Sequence, residues 1–350
     1  MFRNMNNTLS VLISLGTAFI VTALLGIVLI PLLHKLKFGQ NILTDIGPRW
    51  HAKKQGTPTM GGLMFIIGIF VSVAVTLITA KLTGFSVFSA NDVVSAQEKT
   101  KLYAGLLLAL GMALVGFTDD YIKVSKKRNL GLTEIQKTVP QVIIIAAYLT
   151  TMVMSENTSM FIPLVGKISL DSLFGIIFFY LFGACVIYGT ANAVNFTDGV
   201  DGLCGSVTVP VGVAFAVIAY LVSNTGCSIL AAALAGACAG YLIWNHYPAK
   251  VMMGDTGSMF LGGLIAALAF SVNCPLILIP VGIVYVIEAL SDILQIGSIK
   301  LRHKKIFKMS PIHHHFEMSG WSEKKIVTVF SVVSFAGCIV GVILMCFTVN

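Results

Sequence analysis

Long uncharged apolar runs alternate with short polar segments along almost the whole chain. Runs close to the roughly 20 residues that a transmembrane helix needs fall at about 11–33, 60–80, 102–118, 138–155, 172–190 and 326–348. Two longer blocks, 203–245 and 257–300, are each interrupted by turn-forming residues, at 223–226 and 273–275, and each therefore predicts two helices. The pattern predicts an all-α polytopic membrane protein, with ten transmembrane helices in one domain over residues 1–350.

The composition agrees with this class, since 56% of the residues are apolar and only 11% are charged. The seven cysteines are scattered through or beside apolar runs without metal-like spacing, so we interpret them as packing residues. The net charge of +8 is explained by loop asymmetry and by anionic headgroups or substrates near the membrane. It gives no reason to expect a nucleic acid partner.

The basic residues lie mostly in the loops that follow the odd-numbered helices. Of the 23 Lys and Arg residues, only five lie on the opposite side of the membrane: Arg3, Lys81, Lys99, Lys101 and Lys167. Cytoplasmic loops collect Lys and Arg, so the odd loops are predicted to be cytoplasmic and both termini to lie outside. All seven histidines fall on the cytoplasmic side or at its helix ends. The first apolar run shows no signal-peptide cleavage site.

Two adjacent carboxylates, Asp119 and Asp120, follow the apolar run 102–118 directly. Charged groups near a bilayer are costly unless they face protein, water or a counter-ion, so such a pair predicts a functional site at a helix mouth. Taken alone, however, the pair favours a solvated loop start, because helix ends must become polar somewhere. The interpretation therefore depends on other acidic residues at the same face.

Two further helix mouths on the predicted cytoplasmic side carry carboxylates. Asp198 and Asp201 alternate with glycines in a loop without Lys or Arg, and Asp255 precedes a helix within Gly-Asp-Thr-Gly-Ser. The structural alternatives are an Asx turn for the first motif and an N-cap for the second. Carboxylates from three mouths would repel one another if they met in a low-dielectric site. A divalent cation resolves the repulsion, and Mg²⁺ suits oxygen ligands better than Zn²⁺ does.

Three polar features near the same face support more than one interpretation. The run His313, His314 and His315 has lysines on both sides and suits recognition of an anion, or forms an incidental metal-binding tract. The glycines and threonines of 56–62, after Lys53 and Lys54, either cradle phosphate or cap a helix. One face of the ninth predicted helix carries three polar residues, Glu288, Asp292 and Gln295. We interpret Glu288 as structural, whereas Gln295 could reach a ligand.

Several of these motifs carry a family resemblance. The Asp119-Asp120-Tyr-Ile-Lys123 block, the Asn195-to-Gly202 block and Met-Gly-Asp255-Thr-Gly-Ser resemble the polyprenyl-phosphate N-acetylhexosamine-1-phosphate transferases. The Gly-Thr-Pro-Thr-Met-Gly-Gly run and Pro-Ile-His-His-His-Phe-Glu are similar to one branch, the phospho-N-acetylmuramoyl-pentapeptide transferases. The resemblance covers nearly the whole chain in order. Cys204, where the family pattern has alanine, is a small departure beside the second block.

The resemblance implies transfer of phospho-N-acetylmuramoyl-pentapeptide from its UDP carrier to undecaprenyl phosphate, which yields lipid I and UMP and uses Mg²⁺. It implies a bacterial inner-membrane enzyme with a cytoplasmic active site, and a homodimer. A related polyprenyl-phosphate GlcNAc-1-phosphate transferase is the alternative enzyme. A secondary transporter is the alternative outside catalysis, but transporters place such residues near the midplane, often in repeated halves, and no repeat is apparent here.

The resemblance also assigns roles to individual residues. Asp255 would hold Mg²⁺, Lys123 and Lys137 would balance pyrophosphate charge, and Asp119 or Asp120 would take a proton from the lipid phosphate, with Asp119 favoured. Spacing does not separate direct transfer from a route through a covalent aspartyl intermediate. His313 would act in catalysis, with His314 and His315 near the sugar or phosphates. The nucleotide and phosphate pocket would be lined by four residues: Asn195, Asp198, Asp201, Gln295.

Overall fold

The computed structural model describes residues 2–36, 56–126 and 130–349, which are almost entirely helical. Lys53 and Lys54 lie outside the described residues. Ten helices have at least 18 residues: α1 Phe2–Lys35, α2 Gly62–Leu82, α3 Asp92–Ser125, α4 Glu134–Met154, α5 Leu173–Thr197, α6 Leu203–Leu221, α7 Thr225–Asn245, α8 Gly254–Ser271, α10 Ile283–Arg302 and α12 Glu323–Val349. Two helices are short: α9 Leu278–Val281 and α11 Ile312–Glu317.

The all-α polytopic class is confirmed. Among the described residues, eight helices are long and apolar enough to cross a membrane, or nine when α9 and α10 with their preceding turn count as one bent span. The remaining long helix is α8, whose first turn is polar. Every residue of α8 from Thr256 to Ser271 is buried. It packs along α3 and also contacts α5, α2, α6 and α7, so this helix forms the centre of the bundle.

Several helix boundaries differ from those that the apolar runs predict. Helix α3 continues to Ser125, so Asp119 and Asp120 lie inside the helix and not at its mouth. Helix α5 continues to Thr197, which brings Asn195 into its last turn. The prediction of loops at these positions was wrong because a helix stays helical when its polar residues face protein partners, and hydropathy alone does not register such partners.

The two predicted helix breaks are confirmed. Asn224 accepts the backbone N–H of Cys227 and so caps α7 after the break at Val222–Asn224. The second break contains Asn273, in the left-handed region with φ 56°, and Pro275, which begins a 3-10 turn. The structure also has a bend that was not predicted: the segment Pro275–Val281 meets α10 at 88°. This bend turns α10 out of line with the preceding segment.

A short antiparallel hairpin also lies outside the sequence-based prediction. Strands β1, Met160–Ile162, and β2, Gly166–Ile168, pair with Met160 opposite Ile168. It follows the end of α4, whereas the aspartates of α3 lie near the start of α4. The hydroxyls of Ser169 and Thr158 donate to Asp171 just beyond the hairpin, and these hydrogen bonds lower the pKa of that carboxyl. The hairpin thus marks the end of the bundle opposite the aspartates.

Close helix contacts depend on glycines at the crossing points. Helices α1 and α7 pack against each other, and at Gly236 of α7 a β-carbon would lie 2.1 Å from the carbonyl oxygen of Leu15 in α1. A neighbouring glycine of α1, Gly16, has no atom within 4 Å of the same position. Substitution of alanine at the two positions can therefore distinguish the effect of the close helix contact from the general effect of alanine in a helix.

We expect Gly236→Ala to destabilise the protein by about 1–3 kcal/mol, because the added methyl overpacks a backbone contact that cannot move alone. Gly16→Ala is the matched control, and it should leave stability unchanged or slightly improved, since alanine favours helix. Thermal unfolding of both purified variants in the same detergent measures the difference. An equal midpoint for the two variants would show that the α1–α7 crossing tolerates a side chain.

Candidate active site

Three aspartates from two helices form a compact cluster. Asp119 and Asp120 come from α3, and Asp255 comes from the first turn of α8. One oxygen from each carboxylate lies within 4.8 Å of the others, and the first two side chains are buried while Asp255 is half-buried. The predicted meeting of the first and third acidic motifs is confirmed by this geometry.

Asp120 binds the amino end of α8. Its Oδ1 accepts the backbone N–H of Asp255 at 3.2 Å, and its Oδ2 accepts the N–H of Thr256 at 2.9 Å and the Thr256 hydroxyl at 2.7 Å. A helix amino end presents unsatisfied N–H groups and partial positive charge, both of which favour a carboxylate. Asp120 therefore serves as an N-terminal cap supplied by a neighbouring helix, and it fixes Asp255 beside α3.

Two glycines allow this close approach. A β-carbon on Gly116 of α3 would lie 2.1 Å from the carbonyl oxygen of Asp255. Gly254 has φ 70°, and a β-carbon there would lie 2.4 Å from Oδ2 of Asp120. The first position needs glycine for space, and the second needs it for both space and backbone conformation. Glycines near Asp120 and next to Asp255 thus allow α3 and the start of α8 to contact each other closely.

Two lysines bridge the carboxylates of Asp119 and Asp255. The ammonium of Lys123 lies 2.5 Å from Oδ2 of Asp119 and 3.2 Å from Oδ2 of Asp255. The ammonium of Lys137, near the start of α4, lies 2.7 Å from Oδ2 of Asp255 and 3.2 Å from Oδ1 of Asp119. A capping box between Thr133 and Gln136 fixes the first turn of α4. Both lysines predicted for the site are therefore part of it.

Neutral donors complete the surroundings of the same two aspartates. The backbone N–H of Leu132 donates to Oδ1 of Asp119 at 2.7 Å. The side-chain amide of Asn195 donates to Oδ1 of Asp255 at 3.1 Å and to the hydroxyl of Ser258 at 2.8 Å. Asn195 thus brings the last turn of α5 to the cluster, as the motif pattern predicts.

The cluster has the donor chemistry of a divalent cation site. Its ligand atoms are all carboxylate oxygens, which suit a hard cation such as Mg²⁺. Three carboxylates face two ammonium groups, so one negative charge remains when all five groups are ionised. A metal ion there would be held by Asp119, Asp120 and Asp255, with Asp255 being the most accessible of the three.

The second acidic motif does not join this cluster. Asp201 is buried, and its Oδ2 accepts the backbone N–H of Ala249 at 2.9 Å. Its own N–H donates to Glu323 at the start of α12. Asp198 is half-buried at the carboxyl end of α5. The expectation that all three acidic mouths converge on one set of carboxylates was therefore wrong, because Asp201 is used to join the loops that precede α6 and α8.

The histidine run forms the short helix α11, and each of its rings has a different partner. Nδ1 of His313 lies 3.1 Å from Oε2 of Glu288, and both side chains are fully buried. Nδ1 of His314 lies 2.6 Å from Oε2 of Glu317. Nδ1 of His315 accepts the backbone N–H of Lys308 at 3.1 Å. The three rings are thus oriented by the protein and are not an unstructured tract.

Two polar features use their hydrogen-bonding groups within the protein. Oε1 of Gln295 accepts the backbone N–H groups of Ile306 and Phe307, each at 3.0 Å, and its amide nitrogen donates to the Phe307 carbonyl. The N–H groups of Gly61 and Gly62 donate to the carbonyls of Met252 and Met253. For 56–62 this pairing favours a role in supporting the start of α8 over the phosphate cradle.

Several residues of the site were not singled out by the motif analysis. Thr256 supplies two of the three donors to Asp120, Ser258 binds Asn195, and Leu132 donates to Asp119. The first two lie within the Gly-Asp-Thr-Gly-Ser motif, so their proximity to Asp255 was the available signal. Leu132 acts through its backbone, and no side-chain pattern reports such a donor.

Comparison with known proteins identifies families that the chain resembles. Residues 102–273, which include every member of the aspartate–lysine cluster, match the family model Glycosyl transferase family 4. Residues 54–66 match Phospho-N-acetylmuramoyl-pentapeptide-transferase signature 1. The second match includes Gly61 and Gly62, whose backbone N–H groups donate to the carbonyls of Met252 and Met253 before α8.

Similar full-length relatives carry the same name. A phospho-N-acetylmuramoyl-pentapeptide-transferase of Desulforamulus reducens is 42% identical over 94% of this chain and 93% of its own length. One from Clostridium perfringens is 43% identical over 95% of both chains, and one from Heliobacterium modesticaldum is 44% identical over 93% of this chain and 96% of its own. At this identity and coverage, the chain belongs to the phospho-N-acetylmuramoyl-pentapeptide transferase family.

Proposed function

We propose that the protein transfers phospho-N-acetylmuramoyl-pentapeptide from its UDP carrier to undecaprenyl phosphate, giving lipid I and UMP for peptidoglycan synthesis. The observation that carries the proposal is the cluster of Asp119, Asp120 and Asp255 bridged by Lys123 and Lys137. A carboxylate cluster with paired lysines can hold a cation and bind phosphates at the same point. The sequence motifs and the full-length relatives support the same reaction.

The location of the cluster fits one water-soluble substrate and one lipid substrate. Its residues lie on long apolar helices, at the end of α3 and the start of α4, close to the basic residue Lys126 that follows α3. A sugar nucleotide can approach such a site from water, and a lipid phosphate can approach it from the headgroup layer. We infer that the two reacting phosphates meet at this plane.

The charges of the site suit phosphoryl transfer, which depends mainly on positioning and on neutralisation of the transferred phosphate. A bound Mg²⁺, held by the three aspartates with Asp255 as its main ligand, would neutralise pyrophosphate charge. Lys123 and Lys137 each contact two aspartates, so they can exchange a carboxylate for a phosphate oxygen. Their proposed role is to bind the pyrophosphate of the sugar nucleotide.

The two adjacent aspartates of α3 have different surroundings and hence different proposed roles. Asp120 is engaged by three donors of α8, which favours a structural and metal-holding role. Asp119 faces the two lysines and one backbone N–H. We therefore assign to Asp119 the removal of the proton from the lipid phosphate. The phosphosugar is then transferred directly to the lipid, without a covalent enzyme intermediate.

The remaining site residues are proposed to surround the sugar nucleotide. Asn195 lies on the cluster itself, and Asp198 follows it by one turn. Asp201 and Gln295 would act at the edge of the nucleotide pocket, through the loops that they hold. His313 is proposed to take part in catalysis. His314 and His315 are proposed to lie near the sugar or phosphates.

The membrane arrangement is also part of the proposal. The ten long helices would cross the membrane ten times, with α8 shielded from lipid by its neighbours. Both termini would lie outside and the active site would face the cytoplasm at the bacterial inner membrane, as the distribution of basic residues favours. The family resemblance further suggests a homodimer.

Asp255→Asn should abolish Mg²⁺-dependent UMP release, because the amide removes the charge that holds both the cation and the two lysines. We expect a loss of at least about 100-fold in kcat, as for other groups that neutralise developing charge. The assay measures UMP from UDP-linked substrate and undecaprenyl phosphate with purified protein. Asp171→Asn, beyond the opposite hairpin, is the control and should retain activity. Turnover by a folded Asp255→Asn protein at the wild-type rate contradicts the assignment.

Direct transfer predicts that the sugar nucleotide alone leaves no label on the protein. Purified protein is incubated with Mg²⁺ and with substrate labelled in the phosphosugar, without lipid acceptor, and is then denatured and separated from small molecules. No stoichiometric protein-bound label should appear. Addition of undecaprenyl phosphate to a parallel sample provides the positive control for turnover. A labelled aspartyl adduct would replace direct transfer by the two-step route.

The substrate branch is tested with a shorter sugar nucleotide. We expect UDP-GlcNAc to support less than about 1% of the kcat/KM obtained with UDP-MurNAc-pentapeptide, a difference of roughly 3 kcal/mol in transition-state binding. UMP release is measured with both substrates at equal Mg²⁺ and lipid phosphate. Efficient use of UDP-GlcNAc would favour the related GlcNAc-1-phosphate transferase reaction.

A further inference from the structure

Helix α10 carries a carboxylate that the proposed reaction leaves without a role. Glu288 is fully buried, and Oε2 of its carboxylate lies 3.1 Å from Nδ1 of His313, which is also fully buried. A buried carboxylate is costly unless it is hydrogen-bonded, so a contact of this kind needs a compensating donor. The ring N–H at Nδ1 is the donor that His313 can supply to it.

The other nitrogen of the same ring is directed at the loop after α5. Nε2 of His313 has no hydrogen-bond partner among the described residues, although it is buried. A β-carbon on Gly199 would lie 2.1 Å from this nitrogen. No residue with a side chain fits there without displacing the ring. The nitrogen therefore faces the turn at Asp198–Gly199, one turn beyond the Asn195 amide that binds Asp255.

The two observations define a carboxylate, an oriented imidazole and a nitrogen that has no hydrogen-bond partner in the described part of the chain. We propose that Glu288 is a positioning residue that holds His313 as the Nδ1–H tautomer, so that Nε2 accepts a hydrogen bond from the sugar nucleotide. The donor on the substrate would be a hydroxyl or amide N–H placed at the Asp198–Gly199 turn. This inference rests on the proposed function for the identity of the substrate, but not for the state of the ring.

The proposal follows from how histidine tautomers are selected. The proton position on a neutral imidazole is set by the hydrogen bond that its other nitrogen makes. Carboxylate partners fix both the tautomer and the orientation of such rings. The rings of His313 and His314 lie 4.1 Å apart, so a positive charge on both would be repulsive. A neutral His313 with its proton on Nδ1 gives Oε2 of Glu288 a donor and leaves Nε2 as an acceptor.

The state of the ring is measured without any activity. Protein labelled with ¹⁵N-histidine is reconstituted in bilayers, and the resonances lost in His313→Ala are assigned to His313. Solid-state ¹⁵N spectra should show a protonated Nδ1 and an unprotonated Nε2 in the wild-type protein. In Glu288→Leu, which has similar volume but no acceptor, the Nδ1–H population should fall. A wild-type His313 with its proton on Nε2 alone would overturn the proposal, even if no Glu288 variant folds.

The kinetic test separates positioning from general stability. Glu288→Leu should raise KM for the sugar nucleotide by about tenfold, the value of one hydrogen bond, with KM for lipid phosphate unchanged. Glu288→Gln should retain most of the affinity, because its amide oxygen still accepts from Nδ1–H. Addition of Glu288→Leu to His313→Ala should change KM no further. A purely structural Glu288 would instead lower the yield of folded protein and leave KM of the folded fraction unchanged.

Gly199→Ala provides the same test from the other side of the ring. The added methyl should displace the ring of His313 and so raise KM for the sugar nucleotide to a similar extent, while Glu288 itself is unchanged. Gly189→Ala, in the preceding helix α5 with no atom within 4 Å of the new methyl, is the matched control. An unchanged KM in folded Gly199→Ala would overturn the acceptor role of Nε2. Absence of UMP release by the wild-type protein would instead refute the proposed function and leave the spectroscopic result standing.

Discussion

The capping of α8 by Asp120 is the interaction on which the site depends. Three donors at the amino end of a buried helix are satisfied by one carboxylate from α3, and this pairing offsets the cost of burying each group separately. It also determines where Asp255 lies, because Asp255 directly precedes Thr256, the residue that supplies two of the three donors. The carboxylate cluster is therefore a consequence of how the central helix begins, and its geometry is as rigid as the α3–α8 contact.

Charge balance in the cluster is the second constraint. Lys123 reaches Asp119 from the next turn of the same helix, whereas Lys137 comes from α4, and both also contact Asp255. Without ligands, the lysines reduce repulsion among the aspartates. With a cation at the aspartates, the same lysines would be repelled from the metal and become available for phosphate. A single arrangement thus stabilises the free protein and prepares it for an anionic substrate.

The apolar runs predicted the order of the long helices, because lipid exposure and burial both require apolar side chains. They misplaced the ends of α3 and α5, where polar residues stay helical by bonding to other helices. The predicted topology placed Asp119, Asp120 and Asp255 on one face of the membrane, and their mutual repulsion there indicated a cation. Motif chemistry could not predict that Asp201 binds the Ala249 N–H, because backbone donors from a distant loop leave no mark in the sequence. Helical periodicity placed Glu288 and Gln295 on one face, but not their individual partners.

The last turn of α5 joins the two chemical centres of the protein. The Asn195 amide binds Asp255, and four residues later Gly199 contacts Nε2 of His313. A substrate that bridges the aspartates and His313 would therefore pass along this segment. The polar face of α10 supports the far side, where Glu288 holds His313 and Gln295 holds the backbone before α11. Glycine is thus required at position 199 because the chain passes close to a buried ring there.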